Sequence, residues 1–569
     1  MSSMRCCSGW WPALSRGLTL LGTAGWLACA NPPNQPGGPS GLEMVPPKPT
    51  QGPALAVTVR SSDGLELLPA RLLITPVAPT PAPGLHNDGA TARLLAPNVL
   101  GITDGAILVT GEGTLPIPAG TYDIIALQGP EYDQVKERVT IGSKDIVPLS
   151  VVLQHSVRTD GWLAADMHIH TNQSFDSKLA PAHRVISEVA AGIEVIVPTE
   201  HIWHNELQQY IDVLGYSSRA VSIAGSEYGF QYGHLGVYPI EVDRKGALWG
   251  APKWQEWENW RNLTAELVFP MIHALPGQPV AIVNHPRLPP DLGYFINIGW
   301  PRYPGEPLAS AALFDGLEVL SGYDQMPQSL QPLIRDWFYF LSQGLRTVAL
   351  GNSDTHRMDW LTSGYPRTWL KLATDVPQYV LPGDLRDALL GNRAIASNGP
   401  WLHMQVDGAD IGSTVKPQAG SVQVKITADA AGWIDLTRVQ LYHNGTLIKE
   451  WSVQNRSHPA LVVETSVPVS GDGWLVAMAV GDQPLPTAVI GNVLAGKVRP
   501  FALTNAIRID ADGDGKVQPP PLTSEPRPFG LLPETLAAEP ATPSPPLHVP
   551  LDCEPDAYLD WLQRTRSTP

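Results

Sequence analysis

The stretch Trp162-Leu163-Ala164-Ala165-Asp166-Met167-His168-Ile169-His170 is an apolar run that ends in two histidines spaced i, i+2. In an extended strand that spacing puts both imidazoles on one side, where they can share one metal ion. The pattern recurs outward along the chain. Glu194 to Thr199 (EVIVPT) runs into Glu200-His201, Val221 to Ser226 (VSIAGS) into Glu227, and Val280 to Asn284 (VAIVN) into His285-Pro286. Thr347 to Ser353 (TVALGNS) runs into Asp354-Thr355-His356, a second i, i+2 pair. Five apolar runs each deliver His or a carboxylate at their C-terminal ends, the place where parallel barrels assemble active sites. Helix-length segments, Ala180 to Gly192 and Ser329 to Gly344 among them, alternate with such runs, which predicts βα units around a parallel sheet or barrel.

Any one of these histidines alone is better explained as a surface or hydrogen-bonded core residue. Their joint placement reverses that weighing, because nine of the 15 His fall between 160 and 360 and six sit at strand ends beside Asp or Glu. Mixed imidazole and carboxylate ligands suit Zn, Mn or Fe, and the segment has no Cys for a thiolate zinc site. His183, His204 and His273 lack the strand-end placement and read as structural. The chain has no GxSxG elbow, no Walker loop and no GxGxxG after a strand, so hydrolysis by a metal-activated hydroxide is the chemistry its residues support.

His168-Ile169-His170-Thr171, Thr199-Glu200-His201, Gly225-Ser226-Glu227, Asn284-His285-Pro286 and Gly351-Asn352-Ser353-Asp354-Thr355-His356 resemble the successive motifs of the PHP (polymerase and histidinol phosphatase) superfamily. Within it the chain is most similar to exported CehA/McbA-type metallohydrolases, and the likeness covers most of the mature chain. The resemblance implies an α/β fold, a distorted (β/α)7 barrel flanked by an N-terminal β-domain and a C-terminal β-sandwich. It also implies two or three divalent ions. Carried over by motif, His168, His170, Glu227 and Asp354 would hold the first ion, and Glu227 would bridge to a second held by His234 and His285. Asp176, His201 and His356 would hold a third. Asp176 lies in Ser174-Phe175-Asp176-Ser177, where the family often has Ser-Asp-Gly, and the usual Thr-Asp-His is here Thr-Glu-His at 199–201. The implied reaction is attack by a metal-bridging hydroxide on a phosphoester or an amide or carbamate ester, with Asp354 as the catalytic residue that handles the proton. Arg287 and Arg357 each follow a metal motif and are candidates to bind an anionic substrate, with solvent-facing arginine as the other reading.

With 569 residues, 52 Gly and 57 Pro, the chain is too rich in helix breakers for a helical bundle. A net charge of −16 without a basic stripe argues against nucleic acid as a partner, and the metallohydrolase reading implies a small-molecule substrate. Three of four Cys fall in the first 29 residues. Residues 1–28 read as a signal peptide whose apolar run is too short to span a bilayer. Trp26-Leu27-Ala28-Cys29 resembles a bacterial lipobox, so lipidation of Cys29, ordinary cleavage and a retained segment are the readings, in that order. The first makes the protein an exported periplasmic or outer-membrane lipoprotein that meets the membrane only through that anchor. The expected domains are a Pro/Gly-rich tether over 29–53, an antiparallel β-domain over 54–158, the metallohydrolase barrel over 159–399, a β-sandwich over 400–517 and a Pro-rich tail over 518–569, with a short helix near Asp556 to Arg564. Asp510, Asp512, Asp514 and Gly515 match the first half of an EF-hand loop, but Pro521 stands where a bidentate Glu is needed, so weak or no calcium binding is expected. Trp254, Trp257 and Trp260 repeat at i, i+3, i+6 and are expected to pack a helix, with an apolar pocket that also takes in Trp249 as the other reading. The alternative function is a cell-surface binding lipoprotein with a non-catalytic, metal-bound barrel.

Overall fold

The computed structural model describes residues 52–529 apart from 256–262, 289–291, 299–312, 455–456, 492–493, 495 and 525. The signal segment, Cys29, nearly all of the tether, Trp257, Trp260 and the tail beyond 529 with its expected short helix lie outside the described residues.

Alternating burial along Ala54–Ser61 turns Leu55, Val57 and Val59 to one side. They pack against Leu72, Ile124 and Ala126 of a second sheet, so residues 54–153 form two stacked sheets of three and six strands. The expected purely antiparallel arrangement needs correction, because Ala54–Ser61 pairs in parallel with Ile146–Leu153. The whole six-stranded sheet intervenes between them, which is a connection long enough for a parallel pair.

In the central segment the expected (β/α)7 barrel is not formed. The described residues make five sheets and seven α-helices, a predominantly β architecture, and the parallel strands of the central segment are divided between two of the sheets. In the eleven-stranded sheet Leu163–Ile169, Val195–Pro198 and Val221–Ser222 run parallel. On its other side Leu163–Ile169 meets Arg367–Leu370 antiparallel, followed by Ala394–Ser397 and Phe501–Thr504, also antiparallel. In the five-stranded sheet Ser226–Phe230 and Gly233–Tyr238 form a hairpin that pairs antiparallel with Val280–Val283. Only then do Gly316–Ser321 and Val348–Asn352 continue in parallel. These chain reversals break a βα repeat. Several intervening helices are also short, six residues for Gln208–Val213 and four for Tyr294–Asn297.

Beyond 399 a four-stranded sheet containing Trp401–Val406 and Ser421–Asp429 faces part of the eleven-stranded sheet. Met404, Val424 and Ile426 pack on Val439, Leu441 and Ala477 to make a sandwich core. One sheet therefore runs from the central segment into the C-terminal sandwich. The Asn505 side chain ties it to the five-stranded sheet, accepting from Ala349 N (2.8 Å) and donating to the carbonyls of Ala349 and Ala394 (both 2.9 Å).

Candidate metal centre

Every residue of Leu163–Ile169 is buried, so His168 and His170 reach the interior on apolar backbone. His170 N donates to Thr355 O (3.1 Å), which lays the two i, i+2 pairs side by side. Glu227 enters from the hairpin, opposite Gly236, and its buried carboxylate faces five imidazoles. Its Oε1 lies 3.1, 3.2 and 3.3 Å from nitrogens of His168, His234 and His285, and its Oε2 lies 3.4 Å from both His170 and His201. Asp354 Oδ1 lies 3.1 Å from His168, 3.4 Å from His170 and 3.5 Å from His356. Asp176 Oδ2 lies 3.0 Å from His201 and 3.1 Å from His356. The nine sequence-selected residues thus converge in one place.

Four overlapping sets present ligand atoms within 4.8 Å of one another: His170, Asp176, His201 and His356; His168, His285 and Asp354; His168, His170 and Glu227; and His201, Glu227 and His234. Ligands about 2.0–2.2 Å from one ion stand roughly 3 Å apart, the order of the spacings here. His170 Nε2, Asp176 Oδ1 and Asp354 Oδ1 are buried and make no hydrogen bond, as does His285 Nδ1. Buried polar atoms without a partner are costly, and a cation would satisfy the first three. The donor set fits a divalent metal. The chain therefore carries several buried His, Asp and Glu groups able to hold a metal ion.

Surrounding hydrogen bonds aim the rings. The Ser174 hydroxyl spends its one proton on Glu200 Oε2 (2.7 Å), so toward His170 Nδ1 (3.0 Å) it can only accept. Neutral His170 then carries its proton on Nδ1 and its lone pair on Nε2, toward Glu227 and Asp354. His356 Nδ1 donates to Asp354 O (3.0 Å), leaving Nε2 to face Asp176. Glu200 accepts from Thr171 N, Thr171 Oγ1, Ser174 N, Ser174 Oγ and Asn205 Nδ2, and so organises the loop that carries Asp176. With five donors on it, Glu200 acts on the loop and stands outside the ligand sets.

Charge follows from this packing. Burial raises the Glu227 pKa, but His168, His234 and His201 outweigh it and hold the carboxyl well below its usual range. Asp354 is likewise lowered, against burial, by His168, His170 and His356. Asp176 is held well below its ordinary value by His201 and His356, again against burial. His168 is displaced the other way: burial disfavours its charged form, and Asp354, Glu227 and Glu318 raise its pKa well above normal. A cation here would take the place of the protons on the raised rings and pair with the ionised carboxylates. His285 and Asp354 adopt left-handed backbone, with φ of 29° and 51°.

Arg287 forms a two-pronged pair with the Asp336 carboxylate and lies over Phe295. Arg357 pairs with Asp359 (3.0 Å) and lies over Trp360. These contacts give each guanidinium a structural partner. Arg357 also borders a cavity between the six-stranded N-terminal sheet and helix Pro181–Ala190, which none of the nine candidate ligands lines. His204 sits between Glu241 O and Tyr228 OH, and His273 pairs with Asp315 (2.8 Å). Burial lowers the pKa of His183 to about 4. None of these three belongs to a ligand set. Trp254 packs edge-on against Tyr228 from a 3-10 turn, Lys253–Gln255, where a helix was expected. Trp249 meets Trp203 in the same edge-on manner. Asp510 accepts from Gly513 N and Gly515 N, and its carboxylate groups with Asp472 and Asp512.

Sequence reasoning missed Glu318, at the third position of Gly316–Ser321 and fully buried. Its Oε1 faces His168 Nδ1 (2.9 Å) and accepts from Asn352 Nδ2 (3.0 Å), and its Oε2 accepts from His285 N (2.8 Å). The signal was present as a lone acid inside the apolar run Gly316-Leu317-Glu318-Val319-Leu320.

No family model and no curated protein matches the chain. Among solved structures it is similar to a streptococcal ancillary pilin at 18% identity and a TM-score of 0.14, over 21% of this chain and 37% of that one. It is similar to the CARDB domain of a Pyrococcus furiosus protein at 19% identity and a TM-score of 0.13, over 20% of this chain and 95% of the domain. An FMN-binding beta-glucuronidase from Facaelibacterium prausnitzii aligns at 11% identity and a TM-score of 0.15, over 84% of this chain and 75% of that one. Scores this low carry no argument about fold or function.

Proposed function

We propose that this protein is a metal-dependent hydrolase of phosphoester or amide and carbamate-ester bonds, related to the PHP superfamily through its motifs. The observation that carries the reading is the convergence of nine His, Asp and Glu side chains with buried, unbonded His170 Nε2, Asp176 Oδ1 and Asp354 Oδ1 among them. The reading rests on these side chains and not on a barrel. Divalent ions such as Zn, Mn or Fe would supply Lewis acidity and make water acidic enough to attack at neutral pH. His168, His170, Glu227 and Asp354 would hold one, His234 and His285 a second through Glu227, and Asp176, His201 and His356 a third. Asp354 stays ionised, and with Oδ1 turned to an ion between His168 and His170 its other carboxylate oxygen would be the group to accept a proton from the attacking water. Glu227 faces imidazoles through both oxygens and keeps the two halves of the site in register. Arg287 and Arg357 remain proposals for substrate binding that would first require release from Asp336 and Asp359.

Elemental analysis of the wild type and of His168→Ala, Glu227→Ala and Asp354→Asn, with turnover of aryl phosphoesters and aryl carbamates per bound metal, tests the reading. Wild type should carry two or three equivalents, the first two variants fewer, and Asp354→Asn should lose roughly 10²-fold in kcat per metal, the size of a general-base contribution. Full metal in all variants would remove the ligand assignment. Full metal without turnover on any substrate would favour a binding role. We also propose export through residues 1–28 and anchorage at Cys29, under which membrane partition of the mature protein is lost in Cys29→Ser.

A further inference from the structure

We infer that Glu318 is the positioning residue of the centre, setting the tautomer of His168 and the backbone entry of His285 with one carboxylate; this rests on the metal-centre reading above. Three N–H groups converge on Glu318: His168 Nδ1 and Asn352 Nδ2 on Oε1, and His285 N on Oε2. The Asn352 amide is itself oriented, because its Oδ1 accepts from Met167 N (3.2 Å). A ligand nitrogen must offer a lone pair, so an ion on His168 Nε2 requires the ring proton on Nδ1, where only an acceptor can face it. The carboxylate meets all three donors and offers none. It also joins the ends of three ligand-bearing strands, Leu163–Ile169, Val280–Val283 and Val348–Asn352, from a fourth, Gly316–Ser321. His285 N–H is held while its backbone sits at φ 29°, a conformation that gains from a fixed partner.

A neutral amide cannot repeat this. In Glu318→Gln the oxygen can stay on His168 and Asn352, but the NH2 group then faces His285 N–H, donor against donor. The alternative flip puts NH2 against His168 Nδ1 and drives that ring toward the tautomer whose proton occupies Nε2.

The test is Co(II) titration of metal-free wild type, Glu318→Gln and Glu318→Asp, read by d–d absorption and by competition with a chelator, with melting of each metal-free protein alongside. Glu318→Gln should lose roughly 10- to 100-fold in affinity, the range for partners behind a metal ligand, and show an altered d–d spectrum. Glu318→Asp keeps an acceptor-only head on a shorter arm and should fall between the two, a partial rescue that does not follow from folding stability alone. If Glu318→Gln does not fold, the Asp variant decides: wild-type affinity and spectrum there would overturn the role. Wild-type behaviour of both variants would overturn it as well. Wild type that takes up no Co(II) would instead bring down the metal centre itself, which separates that failure from a failure of Glu318.

Discussion

His201 stands between two carboxylates, with Asp176 Oδ2 3.0 Å from Nε2 and Glu227 Oε2 3.4 Å from Nδ1. Burial opposes its charge, but Asp176 and Glu227 prevail and lift its pKa from 6.5 to about 9. The metal-free folded protein thus holds a proton that the unfolded chain releases at lower pH. Its stabilising contribution is complete below about 6.5 and is lost as pH rises through about 9. Asp176 and Glu227 have the opposite sign, contributing above the usual carboxylate range near ~4 and losing that contribution in acid. The melting temperature of chelator-treated protein should therefore fall between about pH 6.5 and 9, and the fall should shrink in His201→Gln. An undiminished slope in that variant would show that the proton sits elsewhere. Seven of the nine candidate ligands were legible in sequence because they stand at the ends of apolar runs, whereas Asp176, in a loop, and His234, at the start of its strand, came only through the motif resemblance. Glu318 escaped because it lies within its strand, and which way a lone buried acid points depends on partners far away in the chain.

At the scale of elements, helix Pro181–Ala190 does more than cover a sheet. Proline at its start supplies preset φ, and Val185, Ile186 and Val189 bury its apolar face. Arg184 is equally buried and donates from Nε to His170 O (3.0 Å) and from Nη2 to Thr355 O (2.9 Å), with Nη1 on Thr355 Oγ1 and Ser363 Oγ. One guanidinium thereby fastens the two strand ends that carry the i, i+2 pairs. Glu188 lies 3.8 Å from it and is also fully buried. Arg184→Met keeps the stem but takes the side-chain donor from His170 O and one of the two donors from Thr355 O, so a loss of roughly 1–3 kcal/mol is expected, the cost of a buried acceptor left unsatisfied. Urea unfolding of the metal-free protein measures it, and a loss below about 1 kcal/mol, the level of a single neutral hydrogen bond, would reject the clamp. The helix was expected over 180–192 and is found nearly there, since its period shows in the sequence. Its buried Arg184 and Glu188 carry no such mark, because a charged pair on a helix is ordinarily a solvated one.

At the scale of the whole molecule, beside the Thr368 hydroxyl on Gly351, one of the joints between the two sheets is Asn505. Its amide imitates a strand edge, taking Ala349 N–H and giving hydrogens to Ala349 O and Ala394 O, and so splices the five-stranded sheet to the eleven-stranded one. In Asn505→Ala the buried Ala349 N–H and Ala349 O lose their partner, at about 1–3 kcal/mol for each left unsatisfied, while Ala394 O keeps the Asn505 backbone N–H. Thermal unfolding should then drop for the central segment and the C-terminal sandwich together. Two separate transitions, with only the sandwich shifted, would show that the sheets fold independently. Pairing at this scale was the part least legible in the sequence. Alternating runs of strand and helix length suggested a barrel, yet periodicity reports which face a strand buries and not which strand lies beside it. Neither Arg367–Leu370 nor Ala394–Ser397 carries a motif, and only their antiparallel partners reveal that the sheet turns away from a βα repeat.

The left-handed backbone at Asp354 (φ 51°) and His285 (φ 29°) restricts the alphabet available at those positions. Asp, Asn and His enter that region far more readily than bulky or β-branched residues. At 354 the chain's shape therefore favours Asp or Asn among side chains of this size, while the proposed proton transfer asks for Asp or Glu. Asn keeps the turn and loses the charge; Glu keeps the charge, but its longer arm and weaker local bonding suit the turn less. Aspartate is the one residue that satisfies both the turn and the proposed proton-accepting role.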